Sequence, residues 1–507
     1  MRTKLTIKNI TATLLLEIVV AVSGIIIPRY FIMAYGSSIN GLVSSISQFI
    51  TYMGLVEAGV SSAGVVELYK PFTNNEEGYI NGILTSIKGF YYKSGIIFLA
   101  LDAILIAAYP FVVSNEIGDV TFIRLMIIVL SLNGIIDYFI LGKYRVLLMA
   151  DQRHYIIAFF QIIGMVFILV FSIILINANV NAIIVKSVVP IVYLLRTIAV
   201  IIYCKKRYKY LSFNAPRIES AFGQKSSAFF HQIVGMVCNN TDMVLLTLML
   251  QKGALVEVSV YSVYNFVNTA LGNFFYAISL GIRSSFGQVI AREENTTLEY
   301  SYNIFEYIYF ILLFVVYTCM GTMLYSFISL YSASFSDSYM YTRWILVFIF
   351  TLCGLLQNLR IPGMTVQIAA GHFKETQVAA AIEVILNLGI SIVLIHRHGI
   401  VGVLIGTCAA YAFRTTYILI YHDYHFLNGT LRNTLFRIIR SFVFSYIIVF
   451  VFIRYFNPVI SSWTHWVLMS AFMFIFSSII LLIVNGVFEK EILKQSLGFI
   501  KKTVMRK

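Results

Sequence analysis

Apolar runs of membrane length recur along nearly the whole chain, and this recurrence limits the fold more than any single motif does. A helix needs about twenty consecutive apolar residues to cross the hydrocarbon core of a bilayer. Such runs fall near 10–35, 41–69, 88–113, 120–142, 155–176, 181–203, 227–250, 258–290, 302–329, 343–369, 376–396, 399–421, 433–456 and 464–487. That makes fourteen expected spans, or twelve if the last two are read differently. The runs are continuous and show no recurring ten-residue alternation, which excludes a transmembrane β-barrel. Hydrophobic residues form 59% of the 507-residue chain and charged residues 12%, against roughly 45–50% and about 25% in a soluble globular protein. So little charge cannot provide a polar surface for a chain this long, and lipid must solvate most of it. The expected class is all-α, polytopic and transmembrane. The run 10–35 is too long for the apolar core of a signal peptide and no small-x-small cleavage site follows it, so it is read as a retained first span.

Orientation follows from the basic residues. The net charge is +14, and the loops alternate in how they carry it. Inner segments hold Arg2, Lys4 and Lys8, then Lys143, Arg145 and Arg153, then Lys205-Lys206-Arg207, and finally Lys501-Lys502. The intervening outer loops hold only Lys252, Arg397 and Arg454. Cytoplasmic loops carry such an excess, so both termini are expected in the cytoplasm. Nucleic-acid binding is excluded, because no polar segment interleaves basic and aromatic residues. The five cysteines lie in or beside apolar spans. Their odd number and unpaired spacing argue for small apolar filler and against a disulfide framework. The sequons at Asn239 and Asn428 face inward in this topology and are discarded.

An internal repeat divides the chain. Arg196-Thr197 and Ile202-Tyr203 close the sixth span as Arg414-Thr415 and Ile420-Tyr421 close the twelfth, 218 residues later. Gly59-Val60-Ser61-Ser62 loosely matches Gly281-Ile282-Arg283-Ser284. Six spans per half is an even number, so both halves enter from the same side and are related by an axis along the membrane normal. The expected organisation is a six-helix lobe at 1–204, a basic cytoplasmic linker at 205–225, a second six-helix lobe at 226–422, and two further spans with a basic tail at 423–507.

Charges within the spans cost about 2.5–3.5 kcal/mol each at the centre of an inserted helix, so they usually face protein or water. The charges read as lying within the spans are Arg29, Glu57, Asp102, Asp137, Asp242, Arg283, Arg343, Arg360, Glu383 and Arg414. Arg29 follows Pro28, which removes a helix hydrogen bond; it either points into a cavity at the kink or snorkels to the outer interface. Glu57 is too deep and too short to snorkel, so it pairs with an arginine or titrates. Asp242, after Asn239-Asn240-Thr241, belongs to a water-filled face or caps a helix start. Gln357, Asn358 and Arg360 line a break made by Pro362-Gly363, the pattern of a transporter site. Arg283, with two following serines, is a weaker second candidate. Glu383 and Arg414 either pair with each other or lie near an inner interface. Arginines suit an anionic guest, because guanidinium binds phosphate bidentately.

Catalytic motifs are missing, which argues against an enzyme. There is no Gly-x-x-x-x-Gly-Lys phosphate loop and no His-Glu-x-x-His. His396/His398 and His422/His425 sit at loop edges, where interfacial polar residues are normal, and they do not make a metal site.

These residues resemble a known family. Pro28-Arg29, Tyr35-Gly36, Asn40-Gly41-Leu42, Gln48 and Leu55-Val56-Glu57-Ala58-Gly59 carry the resemblance in the first half. Asn239-Asn240-Thr241-Asp242, Tyr261-Ser262-Val263-Tyr264, Ala370-Gly371-His372-Phe373-Lys374-Glu375-Thr376 and Gly399-Ile400-Val401-Gly402 continue it. The chain resembles the polysaccharide-transporter (Wzx-like) branch of the multidrug/oligosaccharidyl-lipid/polysaccharide exporter superfamily, over nearly its whole length. The resemblance implies two six-helix lobes in a pseudo-twofold arrangement, two extra C-terminal helices, alternating access, and a place in the bacterial cytoplasmic membrane. It implies that an undecaprenyl-diphosphate-linked oligosaccharide is flipped to the outer leaflet for capsule or O-antigen-type polymers. It also implies H+ or Na+ coupling without a bound cofactor, and a polysaccharide polymerase and glycosyltransferases as partners beside the membrane lipids. By analogy Arg29, Arg283 and Arg360 are cavity bases, and Glu57 and Asp242 couple or gate. The chain departs from some lipid-flipping relatives in offering only Arg29 as a first-lobe base. The rivals are an ion-coupled drug exporter of the same superfamily, a membrane polymerase or ligase, which would need a long outer loop, and a structural scaffold.

Overall fold

The computed structural model describes residues 2–57, 60–218, 226–250, 252–427, 429–456 and 460–505. Among them every regular element is a helix. In chain order these are α1 (Arg2–Tyr35), α2 (Ser37–Met53), α3 (Val60–Asn74), α4 (Glu77–Val113), α5 (Val120–Ile136), α6 (Gly142–Ala150), α7 (His154–Asn177), α8 (Ala182–Arg207) and α9 (Ser226–Met249). There follow α10 (Ala254–Ala291), α11 (Asn295–Ser332), α12 (Trp344–Leu359), α13 (Ile361–Ala369), α14 (Gln377–His398), α15 (Ile400–His425), α16 (Leu431–Val451), α17 (Trp463–Phe488) and α18 (Lys490–Met505).

A helix or an interrupted pair of helices stands at each of the fourteen expected spans. Among the described residues twelve are long and apolar enough to cross a membrane. The exceptions are the seventh and eighth. In α9 the apolar helix found among the described residues, Ile233–Met249, is shorter and carries the polar run Asn239-Asn240-Thr241-Asp242 inside it. In α10 the residues Asn265, Asn268, Asn273, Arg283, Ser284 and Ser285 dilute a 38-residue helix. Large apolar side chains such as Phe111, Ile104 and Leu468 point outward at 80%, 62% and 71% exposure, as lipid-facing residues must.

The chain packs as two compact units, Met1–Ser259 and Val260–Lys507. In the first, Ile83, Leu84 and Ile87 of α4 and Val146 and Leu147 of α6 are fully buried in one core. A second core gathers Leu42 and Ile46 of α2 with Ile123 and Met126 of α5. Polar bonds tie α2 to α9 and the start of α10: Ser45 Oγ lies 2.7 Å from Thr247 Oγ1, and Asn40 Nδ2 donates to Ser259 Oγ at 2.8 Å. Away from the spans, Arg153 and Tyr208 both donate to Asp151 Oδ2 at 2.6 Å. Burial, reinforced by that carboxylate, pushes the Tyr208 phenol well above its usual range. Burial works against the Arg153 charge, but its bonds to Asp151 and Tyr203 outweigh this and raise it overall.

One span in each unit is interrupted near its end. In the first, α5 passes through a π turn at Asp137–Leu141 into α6, nine residues long. In the second, α12 stops at Leu359, Arg360 forms the junction, and α13 runs nine residues more. A residue of positive φ follows each, Gln152 at 57° and Gly371 at 77°. The helices α8 and α15, which carry the repeated Arg-Thr, are both 26 residues long.

In the second unit α14 and α15 form a close antiparallel hairpin. Gly399 makes the turn at φ 52°, a conformation that favours glycine. Gly402 and Gly406 then let the backbones approach: a Cβ at Gly402 would stand 2.5 Å from the Leu394 carbonyl oxygen, and one at Gly406 would stand 2.2 Å from Ser391 Oγ. This is the small-x-x-x-small contact of membrane helices. Asn387 Nδ2 donates to Thr407 Oγ1 at 3.0 Å across the same seam. The cysteine expectation is corrected here. Cys353 of α12 and Cys408 of α15 form a disulfide, with Cα atoms 4.9 Å apart. Two of the five therefore pair, because the packing of α12 on α15 brings together residues 55 apart in sequence.

Candidate functional site

The densest charge cluster among the expected site residues lies at the interruption of α12 and α13. Arg360 sits at the junction in right-handed helical conformation, so the break is a junction between two helical segments and not an unwound loop. Its NH1 donates to Glu383 Oε1 of α14 at 2.5 Å. The other carboxylate oxygen of Glu383 stands 3.5 Å from Arg414 Nε of α15. Arg414 NH1 also donates to the Thr376 carbonyl at 3.2 Å, and the Arg360 guanidinium lies 5.1 Å over the Tyr411 ring. The side chains of Arg360, Glu383 and Arg414 are 13%, 6% and 5% exposed. Glu383 and Arg414 do pair, as one of the two sequence expectations held, and Arg360 joins them.

The first unit has a related cluster of different composition. Glu57 ends a short turn after α2 and accepts from Arg145 NH2 at 2.6 Å. Arg145 NH1 reaches Asp137 Oδ2 at 3.0 Å. The Tyr91 hydroxyl donates to Glu57, and that of Tyr193 donates to Asp137 Oδ1 at 3.0 Å. The Arg196 guanidinium lies 4.2 Å over the Tyr193 ring. Tyr193 and Arg196 of α8 stand three residues apart and precede Thr197; Tyr411 and Arg414 of α15 do the same before Thr415. In each unit a span interruption carries an arginine and this repeated motif lies beside it. The first cluster surrounds one arginine with two carboxylates, and the second surrounds one carboxylate with two arginines.

The remaining expected residues are spread over several helices. Arg29 lies half-buried in α1, and Asp242 is buried in α9. Gln357 lies in α12 one residue before Asn358. Asn358 packs away from the charge cluster: its Nδ2 donates to Tyr317 Oη at 2.9 Å and to the Gly354 carbonyl at 2.8 Å. Its contacts are those of a helix-packing residue against α11. Arg283 in α10 rests 5.6 Å from the Tyr276 ring, and its Nε and one terminal nitrogen are buried without a hydrogen-bond partner among the described residues.

Sequence reasoning passed over a third cluster. Arg437 of α16 binds Glu306 Oε2 of α11 at 2.5 Å and Glu489 Oε2 at 2.7 Å. Arg440 binds Glu489 Oε1 at 2.6 Å and Asn485, and Thr434 and Tyr302 donate to Glu306 at 2.9 Å. Glu306, Arg437 and Arg440 all fall within expected apolar spans, and that placement was the signal available. This network pins α16 and α17 to α11. A separate apolar cavity of about 470 Å³ lies between α11, α12 and α16, lined by Phe314, Trp344, Phe348, Tyr446 and Phe450, with Arg454 also on its wall. No group of three or more histidine, cysteine or acidic residues that could hold a metal comes together among the described residues.

No protein-family model matches the chain. No curated protein matches it in sequence. Solved structures do match. The lipid II flippase MurJ in an inward closed conformation aligns with a TM-score of 0.64 at 15% identity, over 96% of this chain and 100% of that one. The Vibrio cholerae MATE transporter VcmN aligns at 0.55 and 12% identity, over 85% of this chain and 98% of that one. The eukaryotic MATE transporter AtDTX14 aligns at 0.50 and 13% identity, over 84% and 99%. At such identities the likeness is one of fold: the chain shares the all-helical fold of these solved structures over most of its length.

Proposed function

We propose that the protein flips a polyprenyl-diphosphate-linked oligosaccharide from the inner to the outer leaflet of a bacterial cytoplasmic membrane, for surface polysaccharide of the capsule or O-antigen type. The observation that carries this reading is the buried arginine pair at the helix interruption, Arg360 and Arg414, held about one carboxylate. Two guanidinium groups in a low-dielectric bundle match the charge and bidentate geometry of a diphosphate. Arg283, with donor nitrogens unsatisfied among the described residues, adds a third base in the same unit. The apolar cavity between α11, α12 and α16 offers hydrocarbon surface for a prenyl chain. The structural match to a lipid II flippase over nearly the full chain supports a lipid-linked cargo.

In this reading Gln357 belongs to the polar lining of the second unit, Asn358 supports it by fixing α12 against α11, and Arg29 serves as a base in the first unit. Glu57 and Asp242 couple transport to H+ or Na+, or gate it. The cargo comes from glycosyltransferases and passes to a polymerase. The drug-exporter alternative needs carboxylates open to a cation. In the cluster at Arg360 two guanidinium groups outnumber one carboxylate, which favours an anionic cargo over a cationic one.

The test is transport by the purified protein in liposomes that carry a lipid-diphosphate-linked oligosaccharide on one leaflet, read by accessibility to an external lectin. Protein-dependent exposure is the expected result. No exposure, together with protection of cells against cationic dyes, would replace this reading with drug export.

A further inference from the structure

The arginine site already contains an anion belonging to the protein. Glu383 presents one oxygen to Arg360 at 2.5 Å and the other to Arg414 at 3.5 Å. A carboxylate that splits its two oxygens between two guanidinium groups imitates a phosphoryl group doing the same. The arginines are also anchored apart from it. Arg414 holds the Thr376 carbonyl at 3.2 Å, and Arg360 rests on the Tyr411 ring. If the carboxylate swings away, these contacts keep both guanidinium groups in place. Leaving buried arginines with no anion is strongly unfavourable, so an arginine site that empties on each cycle needs a substitute between cargoes.

Resting on the reading of Arg360 and Arg414 as the headgroup site, we propose that Glu383 is a tethered counter-anion. It fills the site when no cargo is present and is displaced when a phosphate-bearing headgroup enters. The displacing group is a phosphate anion, supplied either by a prenyl diphosphate carrier or by a bulk anionic phospholipid. A phosphate carries more charge and more acceptor oxygens than a carboxylate, so it can win the exchange. The competition weakens apparent affinity by the fraction of time the site is vacant. Removing the competitor therefore tightens binding of the same ligand.

The experiment is calorimetric titration of the purified full-length protein with inorganic pyrophosphate and, separately, with farnesyl diphosphate. Size-exclusion profiles check that each variant is folded. Glu383→Gln should bind pyrophosphate at least about tenfold more tightly than the unmodified protein, and Arg360→Gln should lose binding. Glu383→Asp, one methylene shorter, should fall between and serves if the glutamine variant does not fold. Unchanged or weaker binding by both Glu383 variants, with Arg360→Gln still losing it, overturns the counter-anion and leaves the headgroup site standing. Absence of binding in the unmodified protein and in both Glu383 variants overturns both. Repeating the titration in phosphatidylglycerol and phosphatidylcholine nanodiscs separates the sources. A gain seen only in phosphatidylcholine supports displacement by bulk lipid, and a gain in both supports displacement by the diphosphate carrier.

Discussion

Arg437 is among the largest fully buried side chains of the described residues, and its surroundings show what a charge needs inside a helix bundle. It is bound by Glu306 and Glu489 together, and Glu306 takes further bonds from Thr434 and Tyr302. Arg437→Leu would leave Glu306 buried and unpaired, and breaking such a pair costs about 3–5 kcal/mol. Thermal unfolding in detergent should show that loss, and a much smaller one for Glu489→Gln, whose side chain is 17% exposed. Arg360→Ala should behave differently. It is expected to abolish transport while insertion into the membrane stays normal; full transport by that variant would remove Arg360 from the site. That a charge lies within an apolar run was legible in the sequence, although Glu306, Arg437 and Arg440 were passed over. Which charges meet was not. Arg145 reads as part of a basic inner loop, yet it is the partner of Glu57, because a π turn carries α6 onward from α5 and brings Arg145 back to the cluster.

The hairpin of α14 and α15 decides where Glu383 can stand. Its seam depends on Gly402 and Gly406, whose missing side chains admit the Leu394, Ser391 and Asn387 backbones. Gly406→Val should force the helices apart. Overpacking of this kind typically costs about 1–3 kcal/mol, and the displaced Glu383 should lose its contact with Arg414. A lowered unfolding temperature together with tighter pyrophosphate binding, the competing carboxylate having been drawn off, would be the signature. Retention of both would mean that the seam does not set the site. Helices at all fourteen positions were legible, because long apolar runs leave a chain few alternatives. The break at Arg360 was legible too, from Pro362 and Gly363. The disulfide between α12 and α15 was not, since it depends on the axial register of two helices that are separate in sequence. Nor was the π turn at Asp137–Leu141, which contains neither proline nor glycine to announce it.

At the scale of the whole molecule, a cargo with a negative headgroup should respond to voltage. An inside-negative potential favours outward movement of negative charge by about 2.3 kcal/mol per charge per 100 mV. Lectin exposure in the liposome assay should therefore speed up when a potassium gradient with valinomycin sets the interior negative on the side that holds the cargo, and slow down when the gradient is reversed. Indifference to the sign of the potential would mean that no net headgroup charge crosses. The covalent tie between Cys353 and Cys408 bears on how the site keeps its shape. It couples α12 to α15 seven residues, about 10 Å, from Arg360. Those two helices cannot slide past one another there, whereas Glu383 stands on α14, outside the tie. The spacing of Arg360 and Arg414 is thus held whichever anion lies between them.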